Sequence, residues 1–413
     1  MKNTNKLIVI IAVFSIITCD INPEVEPGSA MEYFINERIT VGWNLGNTLD
    51  AVNHWSYEYP KAEEGCWYNI PLANQELFNG VKERGFNIVR IPVTWTGHIG
   101  PAPDYIVSQD WLRRVAEVAN YARNAGLKAI INMHHDDGDI WGGWLLLGDA
   151  AANQNVFNQI TDKYEKVWTQ IAEYFKNHGY WLIFESMNEV HDEGYGWSLT
   201  FQTNAKLIID IINEWNQRFT DAVRSTGGNN AQRFLMYPSY NSFPECILPD
   251  GKIGAAEPGK YFKLPNDSAG SGKQIVTFHY YDPSEFPFKG TNIEWGTQQQ
   301  KNFIDNLFDR FKTAFINKNI PVIIGETGRS RGSGINTDDS VMTQQQLERA
   351  AETRLLWADY VFARAKHYGL VPIWWDNGNF NPVHAQDQFG LFDRNTGKPN
   401  SDENAQIINA ITK

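Results

Sequence analysis

The chain of 413 residues is 42% hydrophobic and 20% charged, enough apolar material for a large core and far from the composition of a disordered protein. Its length admits one large α/β barrel or two ordinary domains. A net charge of −12, with a pI near 5.3 and no Lys/Arg-rich run, argues against nucleic acid or another polyanion as partner.

From the N-terminus, Lys2 and Lys6 precede a predominantly apolar stretch, Leu7–Ile17, too short to span a bilayer as a helix. Residues 1–19 therefore read as a signal peptide, 20–30 as a flexible tether and 31–413 as a single barrel domain. Ile16-Ile17-Thr18-Cys19 resembles a loose bacterial lipoprotein box in which Cys19 would carry the lipid, with ordinary signal cleavage as the alternative. A secreted, periplasmic or cell-surface location is expected. Cys66 and Cys246 then remain, and their separation does not say whether they pair; no Cys/His pattern suggests structural zinc.

Eight β-rich apolar runs follow: Ile39–Leu45, Asn87–Val93, Lys128–Met133, Trp181–Glu185, Arg233–Tyr237, Gln274–Tyr280, Pro321–Gly325 and Val371–Trp375. Amphipathic stretches lie between them: Gln109–Ala125, Asn153–Asn177, Phe201–Ser225, Gln298–Asn317 and Gln345–Tyr368. Gly126 and Gly369 stand where helices should stop before the next strand. This alternation predicts a TIM barrel, an α/β (β/α)8 fold with functional groups at the C-terminal strand ends. Two connections, Asp136–Ala152 and Ser239–Lys273, are long enough to build the rim of a site or to be surface insertions.

The strand ends carry the chemistry, in chain order. Arg90 ends the second strand and can hold a carboxylate ionised, or only pair with a neighbouring acid. Ile131-Asn132-Met133-His134-His135-Asp136-Asp137 ends the third; within a strand the two histidines would face opposite ways, which argues against metal coordination by that pair. Met187-Asn188-Glu189 closes the fourth, where Glu189 can serve as a general acid in a cleft flanked by Met187 and Trp residues, and Asn188 can bond a sugar 2-OH. His279 and Tyr281 end the sixth, and Tyr281 can donate its hydroxyl to Glu326 at the end of the seventh. In Trp374-Trp375-Asp376-Asn377, alternation sends Trp374 to the core and leaves Trp375 as a flat platform under a sugar. Two facing carboxylates suit cleavage of a glycosidic bond. With 15 Trp and 17 Tyr, the chain has aromatic surface for stacking on sugars or simply for filling a large core.

Seven segments in order resemble glycoside hydrolase family 5, and within it the endoglucanases of subfamily 4. They are Gly42-Trp43-Asn44-Leu45-Gly46-Asn47-Thr48-Leu49-Asp50, Val89-Arg90-Ile91-Pro92-Val93, Asn132-Met133-His134-His135, Met187-Asn188-Glu189, His279-Tyr280-Tyr281, Gly325-Glu326 and Trp374-Trp375-Asp376-Asn377. The resemblance implies a retaining double displacement with Glu189 as acid/base and Glu326 as nucleophile. It implies that Arg90, His134, Asn188, His279, Tyr281 and Trp375 line the cleavage subsite, with Asn47, His135 and Asp376 as further sugar contacts. No cofactor or metal is expected; the expected partner is a β-glucan polysaccharide, and the chain is expected to be a monomer. The subfamily's Glu-x-x-Trp-Gly-Asn-Pro segment becomes Glu64-Gly65-Cys66-Trp67-Tyr68-Asn69-Ile70, and Val190-His191-Asp192-Glu193-Gly194-Tyr195 replaces the usual continuation after Asn-Glu. Both departures concern backbone preference and tolerance of side branches. The expected activity is endo-cleavage of β-1,4-glucosidic bonds in cellulose-like chains, mixed-linkage glucan or xyloglucan. A β-mannanase of the same fold and a non-catalytic glycan-binding protein are the alternatives.

Overall fold

The computed structural model describes residues 26–56, 58–137, 142–191, 204–282, 286, 292–332, 334–336, 340–379 and 388–413. The expected signal peptide and the lipidation of Cys19 lie outside them. Each of the eight apolar runs contributes a barrel strand: β1 (Gly42–Asn44), β2 (Ile88–Ile91), β3 (Lys128–Ile131), β4 (Leu182–Glu185), β5 (Leu235–Tyr237), β6 (Gln274–Tyr280), β7 (Val322–Thr327) and β8 (Val371–Trp374). All neighbours pair in parallel, and β8 closes against β1.

The five expected helices form as α3 (Gln109–Asn124), α5 (Gln154–Phe175), α6 (Ala205–Ser225), α7 (Gln298–Ala314) and α8 (Gln344–Tyr368). Among the described residues four more accompany them: α1 (Ala30–Asn36), α2 (Gln75–Glu83), α4 (Leu147–Ala152) and α9 (Asp402–Ile411). Capping explains their starts, since Ser108, Thr297 and Thr343 each accept an N–H of the first turn. Gly126 and Gly369 take positive φ (74° and 84°) immediately behind α3 and α8, as expected of helix stops.

Strand alternation sorts the interior into layers. Ile88, Ile130, Ile183, Ile275, Ile323 and Ile373 point into the barrel floor, where Phe34 of α1 and Ile39 seal the N-terminal end. Two residues further along the same strands, the inward positions are Arg90, Asn132 and Glu185, all fully buried, joined by Asn44 of β1 and His279 of β6. The outward phase, including Val89, Ala129, Leu182, Phe184 and Trp374, joins the main core beneath the helices. The barrel interior thus changes from aliphatic to polar over a single pleat, and that polar layer underlies the site.

Candidate active site

Arg90 is the hub of the polar layer. Its Nε donates to Glu185 Oε2 at 2.7 Å, Nη1 to Glu326 Oε1 at 2.7 Å and Nη2 to Asn188 Oδ1 at 2.8 Å. Burial alone would lower the guanidinium's pKa, but Glu185 and Glu326 outweigh it and the net shift is upward. The bond from Arg90 Nη2 fixes which end of the Asn188 amide is the oxygen, and the residue lines the cleft.

Glu326 reaches the cleft through an irregularity in β7. Phe278 pairs with Ile324 but His279 with Glu326, so Gly325 is an extra residue in the register, and β8 shows the same shift between Pro372 and Trp374. Such bulges re-aim the next side chain. A Cβ on Gly325 would stand 2.8 Å from Thr277 Oγ1 and 3.1 Å from His279 Nε2, so only glycine fits there without displacement. Asn44 Nδ2 holds the bulge by donating to the Gly325 carbonyl at 2.9 Å.

Glu189 lies four residues beyond the end of β4 rather than closing it. The segment is held from behind by Ser242, whose hydroxyl donates to the Asn188 carbonyl at 2.7 Å, and by Asn241 N–H on Val190 O at 2.9 Å. His279 joins the two acids: its Nδ1 is 2.5 Å from Glu189 Oε1 and 3.7 Å from Glu326 Oε2. Carboxylate oxygens of Glu189 and Glu326 lie within 4.8 Å of each other. The Tyr281 hydroxyl donates to Glu326 Oε2 at 3.1 Å. Burial pushes His279 down to about 3, so the ring is neutral at ordinary pH, and pushes the Tyr281 phenol well up.

These groups open into a cleft of about 780 Å³ that Glu189, Glu326, Asn188, His134, His135, Tyr281, Asn47 and Trp375 all line. The Trp375 indole lies nearly parallel to the His134 ring, tilted 11° with centroids 5.9 Å apart. Trp67 continues the wall beside His135, with rings 5.3 Å apart, and Trp55, 57% exposed, extends it from the turn of the small hairpin Val52–Asn53/Lys61–Ala62. Cys66, Trp67, Tyr68 and Asn69 bring the departing segment after β1 directly into the wall. Cys66 and Cys246 are free thiols.

Four expectations need correction. Asp376 is fully buried; its carboxylate accepts from Trp43 Nε1, the N–H groups of Gly378 and Leu391, and Arg394, so it fixes the loop behind β8 and cannot touch a sugar. Met187 packs into the outer core instead of flanking the acid. His134 and His135 do not diverge: β3 ends at Ile131, strand alternation no longer applies, and both Nε2 atoms approach Asp50 Oδ2, at 4.0 and 3.9 Å. The described parts of the Asp136–Ala152 and Ser239–Lys273 connections support the site without lining the cleft.

Asn44, Asp50, Asn132 and Glu185 were not anticipated as members of the site. Glu185, which burial pushes upward, shares Arg90 with Glu326. Asp50 is pushed up to about 7, chiefly by burial and in part by Glu326, while N–H groups of Asn47 and Thr48 act the other way. The signal for Asn44, Asn132 and Glu185 was present as strand phase: Asn44 pairs with Arg90, and Asn132 and Glu185 stand two residues beyond the inward-facing Ile130 and Ile183.

Residues 49–381 match the family model described as Cellulase (glycosyl hydrolase family 5). The chain is 36% identical to Endoglucanase A of Paenibacillus barcinonensis, across 91% of this chain and 88% of that one. It is 31% identical to a xyloglucan-specific endo-beta-1,4-glucanase of Bacteroides ovatus, covering 90% and 68%. Among solved structures it is similar to a GH5-4 broad specificity endoglucanase from Bacteroides salanitronis, with a TM-score of 0.77 and 34% identity over 94% of this chain and 95% of that one.

Proposed function

The chain belongs to glycosyl hydrolase family 5 and is a glycoside hydrolase, and we propose that it cleaves internal β-1,4-glucosidic bonds with retention, through Glu326 as nucleophile and Glu189 as acid/base. The observation that carries this reading is the approach of the two carboxylates to within 4.8 Å. A retaining pair stands ~5–5.5 Å apart, whereas an inverting pair needs ~6.5–9.5 Å to admit a water. Arg90 and Tyr281 each donate to a Glu326 oxygen and so hold the carboxyl group in place. Glu189, 15% exposed, gives its proton to the leaving oxygen and later takes one from the attacking water. The neutral His279 holds it in place meanwhile.

The open cleft and its run of aromatic rings from Trp375 to Trp67 and Trp55 suit a polymer bound across several sugars. The names of the relatives, an endoglucanase and a xyloglucan-specific endo-beta-1,4-glucanase, favour β-1,4-glucans over mannan. Proton NMR of cellotetraose hydrolysis tests the reading: β-anomers should appear first and mutarotate to α. First appearance of α-anomers, or turnover of mannan alone, would sink it. We further propose export and membrane attachment through Cys19, supported by the N-terminal sequence; in a Cys19→Ala chain the enzyme should leave the membrane fraction, and an unchanged distribution would refute attachment.

A further inference from the structure

The amide of Asn132 determines which nitrogen of His134 carries the proton. Val93 N–H lies 3.0 Å from Asn132 Oδ1, and an N–H can face only an acceptor, so the oxygen end of the amide is fixed there. The –NH2 end then points at Glu185 Oε2 (2.9 Å) and at His134 Nδ1 (3.2 Å). Flipping the amide would set –NH2 against N–H and an oxygen against a carboxylate. An amide nitrogen only donates, so Nδ1 must present its lone pair, and in a neutral ring the proton is on Nε2.

We propose that Asn132 is a positioning residue that locks His134 as the Nε2–H tautomer and so aims an N–H donor at a substrate hydroxyl between Asp50 and Glu326. His134 Nε2 lies 4.0 Å from Asp50 Oδ2 and 3.9 Å from Glu326 Oε1. These gaps are too long for direct hydrogen bonds and wide enough for one oxygen bonded at ~2.8 Å to each side. A hydroxyl there accepts from His134 and donates its own hydrogen to a carboxylate. The other tautomer would replace that donor by a lone pair, so the hydroxyl would face the ring and Glu326 as two acceptors with a single proton to share.

The same tautomer explains a second feature. Asp50, His134 and His135 bring potential ligand atoms within 4.8 Å of one another, a spacing that could hold a cation. A cation on His134 Nε2 would force the proton to Nδ1, where it would face the –NH2 of Asn132. Metal-bound histidines normally donate that second N–H to a carboxylate, carbonyl or water. Here the neighbour is a donor, so the trio fits a sugar hydroxyl and rejects a metal ion.

Nitrogen NMR of the full chain labelled with 15N-histidine, with His134→Gln to assign the signal, tests this directly. The wild-type ring should show a protonated Nε2 and an unprotonated Nδ1. In Asn132→Asp, which replaces the donor by an acceptor, the proton should move to Nδ1 and kcat/KM on cellotetraose should fall about 100-fold. The turnover change rests on the proposed reaction; the tautomer does not, so the two can fail separately. A wild-type ring protonated at Nδ1 would overturn the proposal even if the variant fails to fold. So would a variant that loses activity while keeping the proton on Nε2, or tight zinc binding by the wild type that His134→Gln abolishes.

Discussion

At the scale of single residues, the two acids differ in their surroundings in ways that separate their roles. Glu326 is gripped by Arg90 and Tyr281, while Glu189 meets the ring of His279 and the open cleft. Glu189→Ala should therefore slow hydrolysis of unactivated cello-oligosaccharides by about 100-fold or more while sparing aryl glycosides with good leaving groups, and equal losses on both would contradict an acid role. Asp50 offers a pH test. Its folded value of about 7 lies above the usual 3.8, so between those values the folded chain holds a proton that the unfolded chain has lost. Stability should fall as pH rises through that window, by up to ~1.4 kcal/mol per unit for one proton, with the loss complete above 7. Asp136, pushed up to about 6 by burial, adds to the same slope. Denaturant titrations from pH 4 to 8 should show a shallower decline for Asp50→Asn, and an unchanged slope would refute the assignment. Arg90, Glu189 and Glu326 were legible because short motifs name them. Asn44, Asn132 and Glu185 were not, because attention to strand ends overlooks the inward phase one pleat lower.

Among the elements, β7 matters most to the chemistry. An ordinary parallel register would leave Glu326 out of line with His279; the extra residue at Gly325 sets them opposite each other. Gly325→Ala should cut kcat by at least about 10-fold, because its Cβ would displace Thr277 or the His279 ring, and full activity would show that the bulge absorbs a side chain. The eight strands were legible as apolar runs of the right length. The bulge was not, since one glycine in such a run marks a close approach, a kink or nothing. α1, α2, α4 and α9 escaped detection because 6 to 10 residues give too few turns for a clear period. The Asx-type hold of Asn53 on Trp55 N and Ser56 N, which shapes the hairpin turn at the cleft edge, is likewise visible only in three dimensions.

Over the whole molecule, the barrel separates stability from chemistry along its axis. The floor is aliphatic and sealed by Phe34; the mouth is polar and carries both acids. Phe34→Ala should lower stability by about 3 kcal/mol with kcat unchanged, measured by denaturant unfolding and initial rates, and a large rate loss would mean that the two ends are coupled. Fold class was legible because alternation of strand and helix is a global pattern that tolerates errors at each boundary. The convergence of His134 and His135 on Asp50 was not, because it depends on where β3 stops. One detail of the floor reaches beyond folding. Lys273 Nζ clasps the carbonyls of Pro27 and Gly28, pinning the leading segment to the pole away from Glu189 and Glu326. Any attachment made through that segment would meet the barrel at the pole opposite the cleft, so a bulky fibre can reach the mouth without displacing the point where the leading segment joins.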